Sequence, residues 1–242
     1  MAGDRIGRTR PVQGYFFVNA IQRLVRADNT RRTRFHTSNG HLCLNPIEFL
    51  KAFASTMGRA VFHRYAPMPW LTFPAIDYLE PFVSGKRVFE FGSGMSTLWF
   101  ARRCRHVVSV ESDSGWYRIV SQQARDFGNV QLFHAISKED YVGAISNCQG
   151  RFDLILVDGL YRIQCLDVVR SYLNLGGLLV VDNTDSCPGL AVRVEQLFRD
   201  SRIIPLRGWA PHHLHPHETT IIRDVPMDRS RALRSPRARI DP

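Results

Sequence analysis

Val88-Phe89-Glu90-Phe91-Gly92-Ser93-Gly94-Met95-Ser96-Thr97 joins a buried apolar run to a helix through two glycines one residue apart. Glycine has no Cβ, so the backbone there can turn sharply and approach a ligand closely. In open α/β sheets, ligands bind outside the carboxyl ends of the strands, near the point where strand order reverses. A first strand that ends in such a turn predicts the binding edge of the sheet. Two ligand classes compete for it. A dinucleotide fingerprint requires a third glycine at position 97, which is Thr97. Glu90, two residues before Gly92, would repel a pyrophosphate but suits the ammonium of an amino-acid-like ligand. A structural turn without ligand is the remaining alternative.

The pattern extends on both sides of the turn. Strands are predicted at residues 87–91, 106–110, 130–134, 152–157, 177–181, 203–206 and 219–223. Helices are predicted at 74–83, 96–103, 115–127, 161–173 and 190–200. Alternating strands and helices, with continuously apolar strands such as Phe-Asp-Leu-Ile-Leu-Val, predict an α/β fold with a mostly parallel sheet covered on both faces. The second strand leads into Glu111, nineteen residues after Gly92, where an acidic residue accepts ribose hydroxyls in this kind of site. Trp116 follows and can pack on an adenine or in the helix interface.

Upstream, Phe17, Ile21, Leu24 and Val25 recur at helical spacing over residues 14–27. Asn45 as cap and Pro46 at the first position start a helix expected to run to about residue 65. Three regions follow: a basic leader and helical cap at 1–66, the main domain at 67–223, and a basic tail at 224–242 whose composition predicts disorder.

Charge is uneven. The chain carries net +10, yet residues 1–34 hold eight Arg against two Asp, residues 223–242 hold six against three, and the body between is near neutral at about +1. A near-neutral body argues against specific nucleic-acid binding, and leaves acidic surfaces as partners for the basic ends. The five cysteines are odd in number and show no CxxC pair, so neither a disulfide framework nor a zinc knuckle is expected. No secretory signal is legible and no apolar run reaches spanning length, so a cytoplasmic location is the expectation. There is no GxSxG elbow, P-loop or HExxH.

The ordered set of 88–102, Val110-Glu111, 152–158 and 176–183 resembles class I S-adenosylmethionine-dependent methyltransferases, with Glu90, Gly92 and Gly94 matching their E/D-x-G-x-G motif. The resemblance implies a Rossmann-like seven-stranded sheet with one late antiparallel strand, and S-adenosylmethionine as cofactor. It places Glu90, Gly92, Ser93 and Gly94 along the methionine part, Glu111 at the ribose, Trp116, His134 and Ala135 near the adenine, and Asp158 at the inner end of the site. Asp158, Asp182 and Asn183, at the ends of adjacent strands, resemble the Mg²⁺ site of catechol-type O-methyltransferases. The lysine those enzymes place three residues after the first aspartate is Tyr161 here, followed by Arg162. The alternative makes Asp158 the polar floor of the acceptor site and Asp182-Asn183 a helix-capping turn. Asp158, Tyr161 and Arg162 are the catalytic candidates. His212, His213, His215 and His217 form a proline-stiffened loop expected to rim the acceptor pocket and to offer another base. The resemblance implies O-methylation of a small molecule, such as a glycan-pathway intermediate. The helical cap would cover the acceptor or form a homodimer contact. The rivals are an NAD(P)-dependent oxidoreductase, and a non-catalytic module of this fold whose basic ends hold RNA or membrane.

Overall fold

The computed structural model describes residues 31–62, 65 and 67–226. The expected helix at 14–27, the leader and the tail beyond 226 lie outside the described residues. A short turn bridged between His36 and Leu42 leads into helix α1 (Pro46–Phe62). Asn45 starts it, its Oδ1 accepting from the amides of Ile47 and Glu48. Helix α2 (Phe73–Leu79) stops short of the expected 83 because Pro81 cannot supply a helical N–H.

From there strand and helix alternate: β1 (Arg87–Phe91), α3 (Met95–Ala101), β2 (His106–Glu111), α4 (Ser114–Ala124), β3 (Val130–His134), α5 (Lys138–Gly143), β4 (Phe152–Val157), α6 (Arg162–Val169), β5 (Leu173–Asp182), α7 (Leu190–Phe198), β6 (Arg202–Gly208) and β7 (His217–Arg223). The strands form a seven-stranded sheet in the order β3-β2-β1-β4-β5-β7-β6. β1 to β5 are parallel, and β7 runs antiparallel to both of its neighbours. Strand order reverses between β1 and β4, which opens a crevice at their carboxyl ends.

The larger departures from expectation lie at α5 and at the junction of α6 with β5. Helix α5 was not foreseen, although Ser137 caps it by accepting from the Asp140 amide, with Glu139 and Asp140 in its first turn. The helix expected at 161–173 ends at Val169 with one 3₁₀ turn after it, and Leu173 already pairs with Phe152. β5 is therefore ten residues long. The irregularity in its pairing with β4 falls at Gly176, whose φ of +73° the sheet does not accommodate.

Alternation along the strands divides the core. Phe89, Phe91, Val108, Ile155 and Leu179 face α5, α6 and α7. Val88, Leu154, Val180, Trp99 and Phe100 pack with α2 and Trp209 on the other side, and Ala52 and Phe49 of α1 join this second cluster. Trp209 is fully buried, and the edge contacts of its ring with Phe49 (4.9 Å) and Phe35 (5.8 Å) tie α1 and the preceding turn to the sheet.

Candidate functional site

A cavity of about 380 Å³ lies over the crevice, within the size range of small-molecule sites. Its floor is the glycine turn. Gly92 has φ +95°, and a Cβ there would stand 2.8 Å from the Gly159 Cα. The turns after β1 and β4 therefore touch backbone to backbone. Gly94 differs: its backbone is extended, and a Cβ would meet only the Trp116 ring and Ser96 hydroxyl at ordinary distances of 3.7 to 3.9 Å while entering a residue position that lines the cavity. The protein's own packing therefore does not require glycine at 94.

Glu90 lies beneath this floor, fully buried and outside the cavity lining. Its Oε2 accepts from the Thr97 hydroxyl (2.5 Å) and the Ser109 hydroxyl (2.9 Å), and Thr97 Oγ1 in turn accepts from the Gly94 amide (2.9 Å). Glu90 thus braces the turn from below instead of presenting its carboxylate to a ligand ammonium. Thr97, the residue that breaks the dinucleotide fingerprint, is the strut between them. Burial pushes the Glu90 carboxyl up to about 7, against the pull of the Ser96, Thr97 and Ser109 hydroxyls. In the unfolded chain it titrates near its ordinary 4.5. The folded state therefore binds the proton more tightly, and the stability associated with it is lost as pH rises from about 4.5 through 7, by on the order of 3 kcal/mol. Urea unfolding at pH 5 and pH 8 should show this loss in wild type and a clearly smaller one in Glu90→Gln. Equal losses in the two proteins would mean that Glu90 does not titrate in this window.

Glu111 ends β2 at the cavity edge. Its Oε1 accepts from the amides of Ser112 and Asp113, both at 2.8 Å, so the carboxylate is fixed in place. Its Oε2 has only a long approach from the Ser93 hydroxyl (3.4 Å) and remains an acceptor for a ligand. Trp116 also lines the cavity. Asp113 caps its helix, and the indole Nε1 donates to the Ser93 carbonyl at 2.7 Å, so the ring is held over the turn. Trp70, missed in the sequence, lines the same side and packs near Trp116 at 5.9 Å. Tyr141, also missed, lies under Gly159.

The far wall is organised by Arg162. Its Nε donates to the Gly159 carbonyl (3.0 Å), Nη1 to the Asn183 Oδ1 (2.9 Å) and to the Asp182 carbonyl, and Nη2 to the Asp158 carbonyl (3.0 Å) and Oδ1 (3.1 Å). The oxygens read as metal ligands do converge, but on a guanidinium. Asp182 is turned elsewhere: its Oδ1 accepts from the Thr219 hydroxyl (2.5 Å) and faces His217 Nε2 at 3.3 Å. A fixed cation among these oxygens repels Mg²⁺, so the residues present do not fit a divalent ion. Among the described residues no group of three His, Cys, Asp or Glu is placed to hold a metal.

The two aspartates are electrostatically coupled. Burial and the charge of Asp182 hold the Asp158 carboxyl well above its usual range, with Arg162 pulling it back. Burial also raises Asp182, but His217, Arg162 and Thr219 outweigh it and leave its carboxyl below the ordinary value. Of the two, Asp158 has the higher proton affinity and Asp182 stays the more readily ionised. Of the histidines, His213 lines the cavity; its Nδ1 donates to the Pro211 carbonyl (3.0 Å), and burial together with His217 depresses it to about 4, so the ring is neutral with Nε2 an acceptor. Backbone strain gathers here. Tyr161, Asn183 and His212 are non-glycines with positive φ (53°, 56° and 64°), and each lies in or next to the lining.

Besides Glu90, the expected contacts Tyr161, His134 and Ala135 lie outside the cavity lining. Tyr161 turns its ring to Tyr141 and the core. His134 is exposed, stacked on Tyr117 at 4.8 Å and bonded to Ser114. Ala135 is buried, and its amide donates to the Glu111 carbonyl.

No protein-family model matches the sequence, and no curated protein matches it. Among solved structures, the chain is similar to a rRNA methylase from Streptococcus thermophilus (TM-score 0.50, 12 % identity, covering 62 % of this chain and 93 % of that one). Weaker likenesses include a methyltransferase from Pyrococcus furiosus (0.49, 20 %, 74 % and 97 %) and an S-adenosylmethionine-dependent O-methyltransferase from Thermotoga maritima (0.46, 14 %, 66 % and 69 %). At these identities the likeness is one of fold. The sheet order and the antiparallel β7 are those of the Rossmann-like methyltransferase fold.

Proposed function

We propose that the protein is an S-adenosylmethionine-dependent methyltransferase acting on an oxygen of a small molecule. The observation that carries this reading is the pairing, across one cavity, of a Cβ-free turn at Gly94 with the fixed Glu111 carboxylate, whose Oε2 is left to accept ribose hydroxyls. Gly92, Ser93, Gly94, Glu111 and Trp116 would hold the cofactor. When bound, it supplies an electrophilic methyl group on a sulfonium. The chain's own task is then alignment and proton removal. Asp158, with its raised affinity for a proton, suits the role of base toward an acceptor hydroxyl, and Arg162 fixes its orientation. His213 Nε2 is an acceptor on the same wall and orients the hydroxyl. A small acceptor is favoured over RNA because Arg162 is the one Lys or Arg in the lining among the described residues, and it is engaged within the wall.

Calorimetric titration with S-adenosylhomocysteine tests the reading. Wild type should bind, and Glu111→Ala should bind roughly 10- to 100-fold more weakly through loss of charge-assisted hydrogen bonds. Tighter binding of NAD than of S-adenosylhomocysteine would sink it.

A further inference from the structure

We infer that the outward face of α1, with the turn before it, docks on an anionic lipid surface. In an ordinary surface helix the solvent side is polar. Here Ile47, Leu50, Ala54, Met57 and Val61 recur at three- and four-residue spacing on the side opposite the inward Ala52. Ile47 is 65 % exposed and Leu50 62 %, and Leu44, just before the helix, is 67 % exposed. The stripe runs most of a helix about 25 Å long, which is the form of an interfacial amphipathic helix.

Charge says what covers it. Residues 1–65 hold eleven Lys and Arg and three Asp and Glu, so this quarter of the chain carries +8 of the net +10. The acid within α1, Glu48, is turned inward, its Oε2 accepting from the Trp209 amide and its Oε1 from Asn45. An aliphatic stripe carried by the most basic quarter of the sequence matches acyl chains beneath anionic headgroups. It does not match a second copy, since a two-fold contact would bring together two N-terminal quarters that each carry net +8. Nor does it match RNA, whose phosphates gain nothing from aliphatic side chains. Beyond α1, Tyr65 packs on Trp70 and Trp116 in the cavity wall.

The full chain, spun down with vesicles of phosphatidylglycerol and phosphatidylcholine, should co-sediment, and with phosphatidylcholine alone it should remain in solution. The double variant Leu50→Glu, Val61→Glu alters exposed positions, should keep the wild-type melting curve, and should bind anionic vesicles about ten-fold more weakly. A wild type that ignores anionic vesicles overturns the inference, as does a folded double variant that binds them equally well. So does a dimer, seen by light scattering and dissociated by the same substitutions. Vesicle binding that arises only after removal of residues 1–30 also overturns it, because the chain itself would then cover the stripe. None of these readouts depends on methyl transfer.

Discussion

Arg162→Met should lower the unfolding free energy by about 3 kcal/mol, among the largest effects of any single substitution in the site. One guanidinium, at the start of α6, serves five acceptors on two chain segments, the ends of β4 and β5. Its removal leaves these oxygens, which part-buried geometry keeps from water, without a donor. It also removes the charge that opposes the rise of the Asp158 carboxyl, so the Asp158–Asp182 pair should take up its proton at still higher pH. Arg162→Lys should recover only a fraction, because an ammonium cannot reproduce the planar fork. Urea denaturation at constant m-value measures the loss. A change below 1 kcal/mol would mean that the network is dispensable and would return its oxygens to other ligands.

Gly92→Ala and Gly94→Ala should separate folding from binding. At Gly92 a methyl group combines a left-handed φ with a 2.8 Å approach to the backbone of Gly159, and neither partner has a flexible side chain that can yield. We expect a loss of about 3 kcal/mol or more. At Gly94 the φ suits any residue and the nearest atom is 3.7 Å away, so stability should stay within about 0.5 kcal/mol of wild type. Binding of S-adenosylhomocysteine should nevertheless fall about ten-fold, since the methyl group enters the cavity. Thermal melts and calorimetry read the two quantities independently. Equal stability of the two variants would show that the contact between the β1 and β4 turns is not tight.

Local pattern and long-range packing account for what could be read in advance. β1, β3 and β4 begin and end where predicted, and β4 most legibly, because a central strand buried on both faces is apolar along nearly all its length. The place of Gly92, Glu111, Asp158 and Asn183 in the cavity lining follows from their position at strand ends, and that of Trp116 from the first turn of the helix after β2. Pairing across the fold was not legible. Nothing near Arg162 in sequence says that its side chain reaches residues twenty positions away, so Asp158, Asp182 and Asn183 read as a metal set. The inward turn of Tyr161 depends on a left-handed backbone that few non-glycines adopt. Glu90 read as a ligand contact because its burial under the turn rests on Thr97 and Ser109, residues of other elements.

The antiparallel β7 sets the order in which this molecule can be finished. β6 reaches the sheet solely through β7, which is inserted between it and β5. The partners of Asp182 are His217 and Thr219, and the cavity's imidazole is His213, all of which follow β6 in the chain. During synthesis from the N-terminus, the glycine-turn side of the crevice can assemble from residues up to about 160 while the opposite wall still has no edge to lean on. A nascent chain halted before residue 217 therefore carries half a pocket and an open β5 edge, and the last hairpin to emerge closes both at once.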